Sequence, residues 1–207
     1  ENTAARIVEV GGEAIAVVGD VASANDVRRI MGKTLDTFSA IHILVHAAGV
    51  LRRTPISDIE ESEWDLVINV SLKGAYLCTR AVLPAMKRAS WGRIINFSST
   101  AGKTVSTLGG PHYTAAKTGL LGLTRAVAKE VAQHGITVNA VCPGLVDTEM
   151  VRGTIGEDRV KAFTERFPIK RVGEPWEVAE LVAFLASERA AYITGSSLDI
   201  NGGDLMI

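Results

Sequence analysis

Two residues that could transfer a proton, Tyr113 and Lys117, stand four positions apart in a stretch with helical spacing. Four residues make about one helical turn, so the phenol and the ammonium share one helix face. A free tyrosine ionises near pH ~10, and a cation beside it lowers the pKa of the phenol. The spacing therefore predicts a general acid/base pair in which Lys117 makes Tyr113 more acidic.

A short apolar run before this pair, Ile94–Phe97, has the composition of a buried strand and is followed by Ser98 and Ser99. A serine at the end of a strand can donate a hydrogen bond to a substrate carbonyl. A strand, a serine and then Tyr-x-x-x-Lys on the next helix suit the interconversion of a carbonyl and an alcohol. The Tyr-x-x-x-Lys spacing alone is common by chance and usually marks a solvated helix face.

Further short motifs accompany these residues along the chain. They occur in the order Asp20-Val21, His46-Ala47-Ala48-Gly49, Asn69, Ser99-x-x-Gly102, Tyr113-x-x-x-Lys117, Pro143-Gly144 with Thr148, and Asn201-Gly202-Gly203. With them the chain resembles, over essentially its whole length, the short-chain dehydrogenase/reductase family, and within it the 3-oxoacyl-carrier-protein reductases. Each motif is weak by itself, whereas their combination in this order is specific.

The resemblance implies four catalytic residues: Asn69, Ser99, Tyr113 and Lys117. In that family the tyrosine protonates the carbonyl oxygen, the serine hydrogen-bonds it, and the lysine keeps the tyrosine acidic. The asparagine holds a water that links the lysine to solvent, which requires a local break in its helix. The distance from Ser99 to Tyr113 is about one residue longer than the family pattern, so Ser98, Thr100 and Ser106 remain alternatives for the serine.

The resemblance also implies a nicotinamide cofactor, NAD(P)(H), with NADP slightly favoured. The cofactor-binding residues it implies are Asp20, Val21, His46, Ala47, Ala48, Gly49, Tyr113, Lys117, Pro143, Gly144, Val146 and Thr148. Asp20 would meet the adenine amino group, or cap the following turn, or both. Val146 and Thr148 would hold the nicotinamide carboxamide. His46 and Ala47 depart from the family's usual Asn-Asn, and the expectation for His46 is a structural role.

Strand-like and helix-like segments alternate along the chain, which predicts one α/β domain with a doubly wound, Rossmann-like parallel sheet over residues 1–207. The predicted strands are Ala14–Val18, Ile41–His46, Gly92–Ser98, Ile136–Val141 and Ser197–Ile200. The predicted helices are Glu1–Val10, Ala24–Phe38, one starting at Ser62 with a capping-box spacing, Tyr113–His134 and Pro175–Ala186. Residues 145–170 have mixed character and are interpreted as a substrate lid.

One family element is missing from this pattern. The resemblance implies an opening strand and a Gly-rich turn that seats the cofactor pyrophosphate at a helix N-terminus. No such turn occurs in the sequence. The prediction is that the first strand–helix–strand unit, roughly 40 residues, is not represented. The residues that choose between NAD and NADP would lie there.

Composition limits the partners. The net charge is −1 without a long charged run, which argues against nucleic acid or a membrane surface as partner. No uninterrupted apolar run is long enough to span a bilayer, and no metal motif occurs. Cys78 and Cys142 are expected to be buried free thiols.

The resemblance implies a cytoplasmic homo-oligomer, a dimer or tetramer assembled through the helices that carry Tyr113 and Asn69. His112 is interpreted as a loop residue.

The function predicted from these observations is hydride transfer between the nicotinamide cofactor and a carbonyl or secondary alcohol, with a 3-oxoacyl thioester or similar ketone as substrate. Sugar or polyol dehydrogenases and polyketide ketoreductases of the same family are alternatives. Two other classes also remain open. One is a non-catalytic, nucleotide-binding regulatory protein, and the other is a sugar-nucleotide epimerase or dehydratase.

Overall fold

A computed structural model describes residues 2–207, with only the backbone of residue 157. Its centre is a parallel sheet of four strands in the order β1-β2-β3-β4. The strands are β1 (Ile43–His46), β2 (Gly92–Phe97), β3 (Ile136–Pro143) and β4 (Ser197–Ile200). The central strands β2 and β3 are almost fully buried, including their polar residues Arg93, Asn96, Thr137 and Asn139, because both faces of the sheet are covered.

Helices connect and cover these strands. They are α1 (Asn2–Glu9), α2 (Ala24–Phe38), α3 (Glu61–Ile68), α4 (Gly74–Ala89), α5 (Pro111–Val131), α6 (Glu149–Arg152), α7 (Glu157–Thr164) and α8 (Pro175–Ala186). Short 3-10 turns lie at Ile56–Asp58, Thr100–Gly102, Ala132–His134 and Glu188–Ala190. The doubly wound α/β arrangement predicted from the sequence is confirmed.

The alternation of side chains along β2 assigns its two faces to different helices. Ile94 belongs to a core with Met86 of α4 and Val131 of α5. Ile95, the next residue, packs on the opposite face with Leu185 of α8. Successive residues of a strand point to opposite faces, so the adjacent apolar residues Ile94 and Ile95 pack against helices on both faces of the sheet.

Local sequence signals explain where several helices begin and end. The Ser23 hydroxyl accepts a hydrogen bond from the Asp26 N–H at the start of α2, and Ser39 ends that helix in the left-handed conformation. Pro175 occupies the first turn of α8, where a reciprocal capping box joins Glu174 and Glu177. These signals are why the predicted ranges of α2 and α8 agree with the structure.

The structure differs from the prediction at residues 14–18 and at the start of α3. Residues 14–18 do not form a strand, because no described strand lies beside them to complete the backbone pairing. One carbonyl of the segment, that of Val18, accepts a hydrogen bond from the Arg29 side chain instead (2.6 Å). Helix α3 begins at Glu61 with Glu60 as its N-cap, without a side-chain cap bond, so Ser62 lies inside the helix.

A π-helical turn, Asn69–Lys73, joins α3 to α4. The resulting run Glu61–Ala89 contains 29 residues and by length and composition alone could cross a membrane. The sequence alone does not predict a membrane-spanning helix here, because polar residues interrupt the apolar ones along this run. In its most apolar 18-residue window, 44% of the residues are buried inside the fold, and core helices of soluble proteins meet the same criterion.

Both cysteines are buried free thiols, as expected. Among the side chains that the structure describes, no group of three or more His, Cys, Asp or Glu could hold a metal ion.

Candidate active site

A cavity of about 680 Å³ opens at the carboxyl ends of β2 and β3, the edge where ligands bind in open parallel sheets. Most of its wall is apolar. Its polar and ionisable lining groups are Ser98, Ser99, Thr100, Ser106, Thr107, Tyr113, Lys117, Thr148 and Asp204. The structure therefore brings together Ser99, Tyr113 and Lys117, three of the four predicted catalytic residues.

Helix α5 carries Tyr113 and Lys117 on the face that meets this cavity. The Lys117 side chain is 5% exposed, and its Nζ lies 5.6 Å from the centroid of the Tyr113 ring. The Nζ also donates a hydrogen bond to the main-chain oxygen of Phe97 at the end of β2 (2.7 Å). The ammonium is thus fixed between the strand end and the phenol.

Burial controls the titration of both groups. Burial lowers the pKa of Lys117 to about 8, because the charged ammonium loses solvation. Burial raises the pKa of Tyr113 above its ordinary value, and the nearby Ser99 hydroxyl acts in the opposite direction. The prediction that Tyr113 is made more acidic is therefore wrong for the protein alone, since desolvation of the phenolate outweighs the influence of its neighbours.

The four candidate serines and threonines differ in what their hydroxyls already bind. Ser98 is buried and donates to the main-chain oxygen of Lys117 (2.9 Å). The Ser106 oxygen accepts from two backbone N–H groups of its own loop. Ser99 accepts one backbone hydrogen bond, from Ala101 (3.1 Å), so its own proton remains available to a ligand. This distribution excludes Ser98 and leaves the protons of Ser99 and Ser106 available. Of these two serines, Ser99 is the one whose hydroxyl acts on the Tyr113 phenol.

Gly102 completes the serine turn for a steric reason. A Cβ atom at this position would lie 2.5 Å from the Ser98 Oγ and 2.8 Å from the Lys117 main-chain oxygen. Only glycine allows the turn to approach α5 this closely. The Ser99-x-x-Gly102 spacing therefore fixes the serine turn against the helix that carries the lysine.

Asn69, the fourth predicted catalytic residue, is the first residue of the π-helical turn and does not line the cavity. Its carbonyl oxygen accepts a hydrogen bond from the Gly74 N–H. The local break in the helix that the resemblance required is therefore present. In the same turn, the buried Ser71 Oγ accepts from the Val50 N–H (3.3 Å), which connects the turn to the loop after β1.

The residues implied in cofactor binding fall into two groups. Lining the cavity are Ala47, Gly49, Tyr113, Lys117, Pro143, Gly144, Val146 and Thr148; Asp20, Val21, His46 and Ala48 do not line it. A Cβ on Gly49 would lie 3.3 Å from the Lys117 Nζ, so the missing side chain leaves the ammonium open to a ligand. The lining residues therefore fit the nicotinamide end of such a cofactor.

Asp20 and Val21 lie near the start of α2. The Asp20 carboxylate accepts from the Ala22 N–H (2.8 Å), so the capping role that the sequence left open is present. Val21 lies next to Gly74 of α4, where a Cβ would be 2.9 Å from the Val21 side chain.

His46 is 3% exposed at the end of β1, and its Nε2 has no hydrogen-bond partner among the described residues. Burial and the nearby Lys117 charge lower the pKa of His46 to about 4. A neutral, buried ring agrees with the structural role expected for it.

His112 is not a loop residue, contrary to the prediction. It lies in the first turn of α5, is fully buried, and its Nε2 is 3.0 Å from Glu63 Oε1 in α3. No local sequence pattern predicts this contact, because the two residues are 49 positions apart.

Comparison with known proteins agrees with the geometry. A family model described as enoyl-(acyl carrier protein) reductase matches residues 1–204. The chain is 43% identical, over 203 residues, to a 3-oxoacyl-[acyl-carrier-protein] reductase from Synechocystis sp., and the match covers 98% of this chain and 80% of the relative.

Solved structures are similar as well. A proposed gluconate dehydrogenase from Agrobacterium tumefaciens has a TM-score of 0.93 at 32% identity, covering all of this chain and 81% of that one. A 3-oxoacyl-[acyl-carrier protein] reductase from Brucella melitensis has a TM-score of 0.92 at 31% identity, covering all of this chain and 78% of that one. The resemblance read from the motifs is thereby confirmed: the chain belongs to the short-chain dehydrogenase/reductase family of NAD(P)-dependent oxidoreductases.

Proposed function

We propose that this oxidoreductase reduces the ketone of a 3-oxoacyl thioester, or of a similar ketone with an apolar chain. The observation that carries the proposal is the placement of Ser99, Tyr113 and Lys117 on the wall of one mainly apolar cavity. The names of the relatives from Synechocystis and Brucella support the same substrate class.

In the proposed mechanism Tyr113 is the general acid. Its raised pKa keeps the phenol protonated at neutral pH, as an acid that protonates a developing alkoxide must be. The Ser99 hydroxyl donates a hydrogen bond to the same oxygen and so orients the carbonyl. Both donors act where negative charge develops, which stabilises the transition state more than the ground state.

Lys117 has two proposed roles. Its ammonium stabilises the phenolate left after proton transfer, and it donates a hydrogen bond to the nicotinamide ribose. The Nζ already has one fixed acceptor, the Phe97 carbonyl, which leaves two donors for these roles. Asn69, in the π-helical turn, would hold the water that returns a proton to this site.

The cofactor would lie with its nicotinamide end against Gly49, Gly144, Val146 and Thr148. When bound in its reduced form, it supplies the hydride for the carbonyl carbon. NADP rather than NAD is the slightly favoured choice and stays a proposal. The Thr148 hydroxyl also caps α6 by accepting from the Val151 N–H. Thr148 would therefore both contact the cofactor and begin the first helix of residues 145–170.

Residues 145–170 are proposed to act as the substrate lid. Their cavity-lining side chains include Met150, Val151, Phe163 and Phe167, all apolar. An apolar wall suits an acyl chain better than a polyol, whose hydroxyls would lose water without gaining partners. The proposed gluconate dehydrogenase among the similar structures keeps a sugar acid or polyol as the second candidate.

The test is a cofactor-oxidation assay with a panel of carbonyl compounds, run on the wild type and Tyr113→Phe. We expect turnover of 3-oxoacyl thioesters to exceed that of sugar ketones. Tyr113→Phe should lose at least ~100-fold in turnover, the scale of general acid catalysis, while its cofactor affinity stays within a few-fold of the wild type. Turnover of Tyr113→Phe close to the wild type would exclude the mechanism. Cofactor binding without turnover of any carbonyl would favour a regulatory protein.

Assembly and location are further parts of the proposal. A homodimer or homotetramer formed through α4 and α5 would cover apolar side chains on the surface of α4, such as Tyr76, which is 45% exposed. A monomer at micromolar concentration in sedimentation would contradict it. A cytoplasmic location is proposed with the same family resemblance as its support.

A further inference from the structure

The start of helix α5 is held by a contact that the proposed mechanism does not use. His112, next to Tyr113, is fully buried, and its Nε2 lies 3.0 Å from Oε1 of Glu63. The imidazole also stacks on Trp64, with ring centroids 6.5 Å apart and planes inclined by 19°. Glu63 and Trp64 both belong to α3. Two neighbouring residues of α3 thus contact one residue of α5, one through a hydrogen bond and one through ring stacking.

The hydrogen bond defines which nitrogen of the His112 ring carries a proton. An ionised carboxylate can only accept, so the proton of the imidazole lies on Nε2. The other nitrogen, Nδ1, is buried without a partner among residues 2–207. The contact is therefore a hydrogen bond that the His112 Nε2 donates to the Glu63 carboxylate.

A third element meets the same point. The Gly110 N–H donates to the main-chain oxygen of Arg52 (2.7 Å), in the loop that follows β1 and Gly49. A Cβ on Gly110 would lie 2.6 Å from the Thr54 main-chain oxygen and 2.8 Å from the His112 ring. Glycine at this position lets the loop and the imidazole pack against each other.

Three elements of the site thus converge at the first turn of α5. They are the loop after β1, which contains Gly49; helix α3, which continues into the turn with Asn69; and α5 itself. The first N–H groups of a helix have no partner within the helix, so its first turn needs contacts from outside to remain ordered. Gly110, the N-cap, provides no side-chain cap bond.

We propose that His112 is a positioning residue, whose hydrogen bond to Glu63 fixes the first turn of α5 and thereby the direction of the Tyr113 phenol. The proposal rests on the proposed role of Tyr113 as the acid. Lys117 lies one turn further and has its own anchors, the Phe97 carbonyl for its Nζ and the Ser98 hydroxyl for its main-chain oxygen. Loss of the His112 contact should therefore disturb Tyr113 and leave Lys117 in place.

The test compares two amides at position 112. The amide nitrogen of His112→Gln reaches about as far as Nε2 and can donate to Glu63, whereas that of the shorter His112→Asn cannot. We expect kcat to fall about 10- to 100-fold in His112→Asn and His112→Ala, as for a misplaced catalytic group. His112→Gln should keep at least about half of the wild-type kcat. The dissociation constant of the cofactor, measured by fluorescence, should change less than about threefold in all three.

Two further measurements separate positioning from simple destabilisation. Glu63→Ala should lower kcat as His112→Asn does, and the loss in the double variant should be smaller than the product of the two single losses, because both variants remove the same hydrogen bond. Amide hydrogen exchange in residues 112–116 should rise in His112→Asn but not in His112→Gln. His134→Ala, at the far end of the same helical segment, is the matched control and should match the wild type in each measurement.

Equal kcat in His112→Asn and the wild type would overturn the proposal, as would equal loss in His112→Gln and His112→Asn. If Tyr113→Phe kept normal turnover, the proposed function would fail. The exchange measurement would then still decide whether His112 orders the start of α5. If Tyr113→Phe is inactive and His112→Asn is normal in both activity and exchange, only the positioning role is wrong.

Discussion

The Ser98 hydroxyl donates a hydrogen bond of 2.9 Å to the main-chain oxygen of Lys117. This bond joins the end of β2 to the middle of α5, and it occupies the proton of one of two adjacent serines. Ser99, one residue further, lies on the cavity wall with its proton unassigned. The two adjacent serines therefore have different roles. Ser98 holds the strand end against α5, and Ser99 faces the cavity where a ligand would bind.

The first prediction separates these two serines. Ser99→Ala should lower turnover by about 100-fold, because its hydroxyl acts on the substrate, and should cost about 1 kcal/mol in the free energy of unfolding through the lost hydrogen bond from Ala101. Ser98→Ala should cost about 1 kcal/mol in the free energy of unfolding, since a buried acceptor loses its donor, and should reduce turnover less. Steady-state kinetics and urea denaturation of both variants test this. A larger loss of turnover in Ser98→Ala would exchange the two roles.

The second prediction concerns Gly102. In Gly102→Ala the new methyl group would lie 2.8 Å from a main-chain oxygen, which cannot move aside as a side chain can. We expect a loss of about 1–3 kcal/mol in unfolding free energy, together with reduced turnover as the serine turn moves away from α5.

Gly32→Ala in α2 is the matched control, because nothing lies within 4 Å of its Cβ position. It should stabilise the protein by about 0.5–1 kcal/mol, as alanine does in a helix interior. Gly102→Ala as stable and active as the wild type would contradict the steric argument.

The third prediction concerns the pH dependence of ketone reduction. The pKa of Lys117 is lowered to about 8, whereas that of Tyr113 is raised, so the lysine loses its proton first as pH rises. Because kcat/KM reports the free enzyme, it should fall about tenfold per pH unit above pH 8. A profile of kcat/KM from pH 6 to about 10 tests this. A flat profile through that range would mean that the Lys117 charge is not needed.

The sequence predicted those parts of the fold and the site that depend on local chemistry. The bounds of α2 and α8 follow from Ser23 and Pro175, and the Tyr113–Lys117 spacing placed both residues on the same cavity wall. The buried partner of His112 and the final backbone state of residues 14–18 depend on segments distant in sequence. The predicted lowering of the Tyr113 pKa was wrong for a related reason. The cost of burying a phenolate depends on the residues that surround it in the cavity, and helical spacing does not reveal them.

The last prediction concerns the cost in folding stability of burying the Lys117 ammonium. Burial of its ammonium lowers the pKa from 10.5 to about 8, a shift that corresponds to roughly 3 kcal/mol against the charged form. Lys117→Met should therefore unfold at higher urea concentration than the wild type at pH 7, with a gain of about 1–3 kcal/mol after the loss of the bond to Phe97. The same variant should be inactive.

The gain in Lys117→Met should itself depend on pH. Between pH 8 and 10.5 the unfolded wild type holds a proton that the folded protein has released, so wild-type stability rises with pH in this window. The Met variant lacks this contribution, and its advantage should shrink from pH 8 upward and be lost near pH 10.5. Lys129→Met, at an exposed position of the same helix, is the control and should show no such pH-dependent gain. Urea midpoints of the three proteins at pH 7, 9 and about 10 test this. A wild type more stable than Lys117→Met at pH 7 would show that the buried ammonium stabilises the fold.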